Sequence, residues 1–374
     1  MNIGIEVQRL FRPKKHGMEV VALELIRQIQ NLDTQNSYTV YAKNDQDRDC
    51  LSESANLKIN TLNSKTYMDW EQFSLPKAVK KDKIDFLHCT CNTAPLKSPV
   101  PFMVTIHDII YLENIEFKGT AYQNFGNLYR RFLVPRIAEK SRFIVTVSNF
   151  EKAFMLERLN IPEEKIKVVY NAVNERFNTH YSEADKQAFR QRFNLPTDYI
   201  LFLGYAAPRK NALGVIQAYA QYCSRVKDNL PMVILGNDKA YVEDALEKIG
   251  KGECIDRFLF PGYIPTPDMP LLYSTCSLFL YPSLREGFGL PILEAMACGA
   301  PVITSNTSSM PEVAGDSAYL VDPYKLEEIT EGIIHLSQNE SQRQNLISKG
   351  LDRAKLFTWK STAEKILDLY SLMK

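Results

Sequence analysis

Two series of short, almost unbroken apolar runs, alternating with helical stretches, constrain this chain more than any other feature. Ile3–Val7, Tyr38–Tyr41, Leu57–Leu62, Ile84–His88, Phe102–Ile106, Phe143–Val147 and Ile166–Tyr170 form the first series. After a polar stretch near Asn178–Asp185 come Tyr199–Leu203, Met232–Leu235, Phe258–Phe260, Leu278–Tyr281 and Val302–Thr304. Helical periodicity fills the gaps at Met18–Leu32, Trp70–Val79, Tyr122–Lys140 and Asn211–Cys223, and Ser148-Asn149 caps a further helix. Strands apolar on both faces and separated by helices imply parallel sheets covered on both sides. The expectation is an α/β chain of two doubly wound domains, 1–178 and 179–357, closed by an amphipathic helix over about 358–374. A length of 374 residues suits two cores better than one.

Sheets of this kind take ligands beyond the carboxyl ends of their strands. Gly17, His107, Ser148, Asn171, Gly204 and Glu286 all follow predicted strands, so a site between two facing domains is expected. A formal net charge of +1 provides no general field for nucleic acid, and none is expected as a partner. No apolar run approaches the roughly 18–20 residues of a membrane span. The opening Met-Asn-Ile-Gly-Ile-Glu lacks the basic and apolar regions of a signal peptide, which points to the cytoplasm. Seven scattered cysteines suit reduced thiols, and Cys89-Thr-Cys91 is too closely spaced for a usual zinc pair. Asp45-Gln-Asp47-Arg-Asp49 lies in a polar segment and reads as a solvated loop, so no metal is assigned to it.

Chemistry concentrates between Glu286 and Glu312, where the one charged residue is Glu294. Its neighbours Ile292, Leu293, Ala295, Met296 and Ala297 are apolar on every side of a helical wheel, so the short helix is expected to be buried all round. An ionised carboxylate there is unfavourable by several kcal/mol unless something bonds to it. Ahead of it, Glu286-Gly287-Phe288-Gly289-Leu290-Pro291 reads as an acid, a glycine loop and a helix start. Amides at such a start attract phosphates, and two flanking acids could accept bonds from hydroxyls. The competing reading pairs Glu294 with a distant Arg or Lys and leaves the glycines to shape a turn. Pro208-Arg209-Lys210-Asn211, just past Gly204, offers two cations suited to phosphate, or else a solvated basic loop. His107-Asp108 closes another strand, and His107 reads equally as a structural or a functional residue. Arg130, Arg131, Arg136, Lys140 and Arg142 lie among Tyr122, Phe125, Leu128, Tyr129, Phe132 and Leu133. That pattern fits either peripheral membrane contact, at the inner face, or an ordinary half-buried helix.

The Glu-x7-Glu pair, Pro-Arg-Lys-Asn, the His-Asp strand end, Val147-Ser148 and Tyr170-Asn171-Ala-Val together resemble family 4 of the retaining, nucleotide-sugar-dependent glycosyltransferases. The resemblance covers essentially the entire chain and is most specific from Phe260 to Pro323. It implies the GT-B fold, two Rossmann-like domains facing across a catalytic cleft, with the final helix returning to the amino-terminal domain. It also implies transfer of a hexose from a nucleotide-diphosphate sugar to a glycan or lipid-linked acceptor, without a cofactor or obligatory metal. The Pro-Arg-Lys-Asn variant resembles mannosyltransferase-like members, which puts GDP-mannose ahead of UDP-hexoses. By the same resemblance Glu286 would hold the donor sugar's hydroxyls and Glu294 the ribose. The Phe288, Gly289 and Leu290 amides, after Gly287, would line the diphosphate and sugar. Arg209 and Lys210 would neutralise the diphosphate, His107 would contact the sugar near its 6-hydroxyl, and Gly17 would approach phosphate or acceptor. Two departures stand out: His16-Gly17-Met18-Glu19 replaces a glycine-rich run, and Tyr205 stands where many members carry Arg after the glycine matching Gly204. A non-catalytic sugar-nucleotide-binding subunit and another GT-B enzyme, such as a sugar-nucleotide epimerase, are the competing functions.

Overall fold

The computed structural model describes residues 1–113, 121–205 and 207–373, without the side chains of 121–123. Two compact units emerge: Met1–Asn171 with Trp359–Lys374, and Ala172–Thr358. The division falls at Asn171/Ala172 rather than at 178/179, because Phe177 is buried against Tyr273, at a ring separation of 6.0 Å. The Val173 amide also donates to Phe357 O at 3.2 Å.

The first unit is built on seven parallel strands: β1 (Asn2–Glu6), β2 (Ser37–Ala42), β3 (Leu57–Thr61), β4 (Phe86–Cys89), β5 (Phe102–Thr105), β6 (Phe143–Thr146) and β7 (Ile166–Val168). Their order is β3-β2-β1-β4-β5-β6-β7, so the sequence of strands reverses between β1 and β4. One face is covered by the helix Gly17–Leu32 and the carboxyl-terminal helix Trp359–Ser371, whose Ala363, Ile366 and Tyr370 are buried among Ile3, Ile5 and Phe86. Tyr370 OH also lies 2.7 Å from His88 Nδ1. The other face packs Leu75, Val79, Leu133, Val134, Ile137 and Met155. The helix expected at Trp70–Val79 runs from Tyr67 to Lys81 and passes through a π-helical turn at Trp70–Ser74.

The second unit repeats the plan with six parallel strands: β8 (Ile200–Leu203), β9 (Met232–Leu235), β10 (Phe258–Leu259), β11 (Leu278–Tyr281), β12 (Val302–Ser305) and β13 (Tyr319–Val321). Their order is β10-β9-β8-β11-β12-β13, reversing between β8 and β11. The edge strand β13 adds to the runs expected from sequence; it is three residues long and its Leu320 is exposed. Both sheets are Rossmann-like and doubly wound. Among the described residues no helix is long and apolar enough to cross a membrane.

Candidate functional site

In the second unit the reversal between β8 and β11 brings two loops together. β8 leads into Gly204, where an added Cβ would stand 2.5 Å from Asn237 Oδ1 and 2.7 Å from the Phe202 ring, so nothing larger than glycine fits without a shift. That Asn237 oxygen is itself buried without a hydrogen-bond partner among the described residues. Ala206 lies outside the described residues. Pro208–Lys210 then forms a tight turn, and Asn211 leaves it in the left-handed region at φ 59° before the helix Ala212–Arg225 begins. Asn211 Nδ2 donates to Pro282 O at 3.2 Å and to Pro323 O at 2.9 Å, while the Leu284 amide donates to Arg209 O at 2.7 Å. These bonds fasten the basic turn to the loop after β11.

The fastening places three charges in contact. Arg209 Nη1 lies 2.8 Å from Glu286 Oε2 and Lys210 Nζ lies 2.7 Å from Glu286 Oε1. Lys210 Nζ also donates to Tyr281 OH at 2.6 Å. Glu286 is only 8% exposed. Burial by itself would raise its pKa, but Lys210 and then Arg209 outweigh that and hold the carboxyl below the ordinary range. Its backbone is fixed from the loop after β12: Ser308 Oγ accepts from the Glu286 amide at 3.0 Å, and Ser309 Oγ lies 3.0 Å from Glu286 O and 2.8 Å from Phe288 O.

Beyond Glu286, Gly287 and the buried Phe288 lead to Gly289, whose φ of 105° is a glycine conformation. Gly289 precedes the helix Leu290–Ala297, which has no side-chain cap; Pro291 has no amide hydrogen, and the Ile292 amide donates to Gly289 O at 3.0 Å. This helix is not buried all round. Ile292, Leu293, Ala295 and Met296 are buried, while Leu290, Pro291, Glu294 and Ala297 form a half-buried stripe. Glu294 accepts from Tyr273 OH at 3.1 Å and, among the described residues, forms no ion pair with Lys or Arg. Burial raises its pKa from 4.5 to about 6, against the opposing pull of Tyr273 and of Arg176.

His107 and Gly17 belong to the first unit. His107 Nε2 lies 2.9 Å from Thr90 O, which can only accept, so Nε2 carries the hydrogen and Nδ1 the lone pair. Burial lowers the imidazole pKa, leaving the ring neutral near pH 7. Gly17 opens the helix Gly17–Leu32; it is exposed, and a Cβ there would meet nothing within 4 Å. The structure therefore joins Arg209, Lys210 and Glu286 directly, with Gly204, Gly287, Phe288, Gly289, Leu290 and Glu294 on the adjoining segments.

Other participants escaped the sequence. Tyr273 and Tyr281 sit in apolar runs and are indistinguishable there from core residues. Ser308 and Ser309 close the polar run Ser305–Ser309 at a strand's carboxyl end, a signal that could have found them. On the helix Ala121–Lys140, Phe125 (57%), Leu128 (46%) and Phe132 (53%) are exposed, and the Arg136 guanidinium carbon lies 3.8 Å from the Phe132 ring centroid. Tyr129 and Leu133, placed in the same surface pattern, turn inward instead, Leu133 into the core and Tyr129 OH onto Glu71. The Tyr122 side chain lies outside the described residues. Among the described residues no three His, Cys, Asp or Glu side chains group so as to hold a metal ion.

Known proteins resemble both units. The model "Glycosyl transferases group 1" matches residues 183–353 and "Glycosyltransferase Family 4" matches residues 16–177. O-antigen chain mannosyltransferase B of Escherichia coli is 34% identical over 239 residues, 63% of this chain and 62% of that protein. The serotype-specific mannosyltransferase WbdA of the same species is 32% identical over 270 residues, 70% of this chain. The match spans only 32% of WbdA, so the chain spans less than two thirds of the curated relatives it matches first. The crystal structure of Anabaena Alr3699/HepE in complex with UDP-glucose superposes with a TM-score of 0.75 at 18% identity, over 99% of both chains.

Proposed function

The chain belongs to the group 1 and family 4 glycosyltransferases, and on that premise we propose that it moves a hexose from a nucleotide-diphosphate sugar to an acceptor hydroxyl with retention. The donor is GDP-mannose before UDP-hexoses, and the acceptor is a glycan or a lipid-linked sugar. One observation carries this reading: the Arg209–Glu286–Lys210 cluster adjoins an uncapped helix start with Glu294 one turn inside it. The mannosyltransferase relatives favour mannose, and the UDP-glucose complex of a protein with the same fold favours a nucleotide sugar.

As the bond from the anomeric carbon to phosphate loosens, negative charge grows on the departing diphosphate. Arg209 and Lys210 meet that charge; Arg has five donors and Lys three, so both can serve a diphosphate while still holding Glu286. Groups aimed at charge that develops only in the transition state lower the barrier and not merely the binding energy. The Phe288, Gly289 and Leu290 amides line the diphosphate and sugar, and Gly204 leaves room for close approach. Glu286, kept ionised by its cations, accepts from the sugar hydroxyls, and ionised Glu294 accepts from the ribose. Neutral His107 offers Nδ1 near the 6-hydroxyl, and Gly17 leaves space for phosphate or acceptor.

Peripheral membrane contact is part of the proposal. Phe125, Leu128 and Phe132 follow helical spacing on one exposed stripe beside Arg136, which suits insertion of rings under anionic headgroups. Flotation with anionic liposomes tests it: wild type should float at low salt, and Phe125→Ser/Phe132→Ser should not.

The decisive experiment pairs a thermal-shift screen of nucleotide sugars with radiolabelled donor turnover. GDP-mannose at a hundredfold excess over Kd should stabilise by about 2.7 kcal/mol and should lose its sugar slowly to water. A protein that neither shifts with any nucleotide sugar nor turns one over is no transferase, and binding without turnover would make it a non-catalytic subunit.

A further inference from the structure

The first unit holds a second cationic site. Past β1 the chain turns twice, with the Leu10 amide on Val7 O at 3.1 Å and the Arg12 amide on Arg9 O at 3.2 Å. The Lys43 amide on Gln8 O, at 2.9 Å, holds the end of β2 alongside. Gln8, Arg9, Arg12, Lys43, Asp45 and Tyr67 thereby line one cavity of about 380 Å³. It opens beyond the carboxyl ends of β1 and β2, the edge at which parallel sheets take ligands. Its size is within the roughly 300–1,000 Å³ typical of small-molecule sites.

Three cations and one acid give the lining a formal charge of +2. Arg12 meets its nearest acid, Glu19, only at 3.7 Å, and Lys43 forms no ion pair among the described residues. The Arg9 guanidinium carbon lies 5.3 Å from the centroid of the Tyr67 ring. Tyr67 is fixed in turn, its hydroxyl 3.1 Å from Glu71 Oε1 and 2.6 Å from Thr93 Oγ1. Of the acids beneath, Glu6 is pushed up to about 8 by burial, helped by Glu71, so it is mostly protonated at neutral pH, while Glu19 faces Arg12.

We infer that this cavity is a subsite for a phosphate or diphosphate carried by the acceptor. Two adjacent guanidinium forks and an ammonium match phosphate oxygens, and the cationic lining suits a phosphate or diphosphate better than a single carboxylate. The inference rests on the transferase reading for the word acceptor, but the anion site stands by itself. The carrier is a lipid-linked diphosphate sugar or a soluble sugar phosphate.

Inorganic pyrophosphate titrated calorimetrically into the whole protein, with GDP saturating, is the test. Wild type should bind it, and Arg12→Ala/Lys43→Ala, both surface changes, should weaken it by about tenfold or more with GDP affinity unchanged. Pyrophosphate affinity within twofold of wild type in that variant overturns the site. If GDP fails to bind wild type, the transferase reading falls while the pyrophosphate comparison still decides the cavity. Two further arms name the carrier: mannose 1-phosphate, and neutral phosphatidylcholine vesicles carrying a polyprenyl diphosphate sugar. Whichever is lost with the two cations is the carrier; retention of both by the variant overturns the assignment to the acceptor.

Discussion

At the β8/β11 reversal the second unit holds Glu286 between Arg209 and Lys210, whereas at the β1/β4 reversal the first unit buries Glu6 and Glu71 with no ion pair among the described residues. Glu6 Oε1 accepts from the Gln8 amide at 2.9 Å, and its Oε2 has no side-chain ion partner among the described residues. Glu71, in the π-helical turn, is bonded by the hydroxyls of Thr93, Tyr129 and Tyr67. One topology therefore puts the same side chain in opposite states. Cations hold Glu286 ionised; burial keeps Glu6 protonated. The second unit presents fixed charge to a ligand, and the first presents cations above a mostly protonated Glu6.

Removing a cation should show the largest effect. Lys210→Ala should slow transfer by about a hundredfold or more in a steady-state assay with labelled donor; a loss under twofold would separate the cluster from the chemistry. Glutamine substitutions come next, because they differ between the units. Glu286→Gln strands Lys210 beside an amide and should destabilise by about 3 kcal/mol in urea unfolding at pH 7. Glu6→Gln replaces a mostly neutral acid by a neutral amide and should change stability by about 1 kcal/mol or less; equal losses would erase the contrast. The pH dependence should also run in opposite directions. Folded Glu6 binds its proton more tightly than the unfolded chain does, so its contribution falls as pH rises from 4.5 toward 8. The Glu286 contribution, present above its unfolded pKa, is lost as pH falls below about 4.5. Glu294→Gln leaves the contrast between the cations untouched and is expected to weaken GDP binding about tenfold at pH 7.5. It should also abolish the strengthening of wild-type binding as pH rises through about 6, where Glu294 ionises.

Sequence made the two sheets legible because their strands are apolar on both faces, and it failed where that signature lapses. The edge strand β13 is only three residues long, and the helix around Trp70 changes pitch just ahead of Pro76, whose missing amide the pattern of apolar positions does not show. In the site, Arg209, Lys210 and Glu286 were each conspicuous in their own segment. Their contact was not, since it depends on Asn211 fastening two loops about seventy residues apart. The pairing with Arg or Lys that was open for Glu294 belongs to Glu286 instead. Glu6 was missed although its setting, Ile-Gly-Ile-Glu-Val, presents the same lone acid among apolar neighbours that drew attention to Glu294. Glu71 gave no such sign, because Asp69, Glu71 and Gln72 make its stretch look solvated.

The helix Trp359–Ser371 seats Tyr370 in the first unit's core, beside Phe86 and His88. A nascent chain that has emerged only as far as Thr358 already holds every residue of the second unit, but the first still lacks one wall. The core of the first unit is therefore complete only once residues 359–371 are in place. Losing a dozen residues downstream of Thr358 would leave open the domain that was begun at Met1.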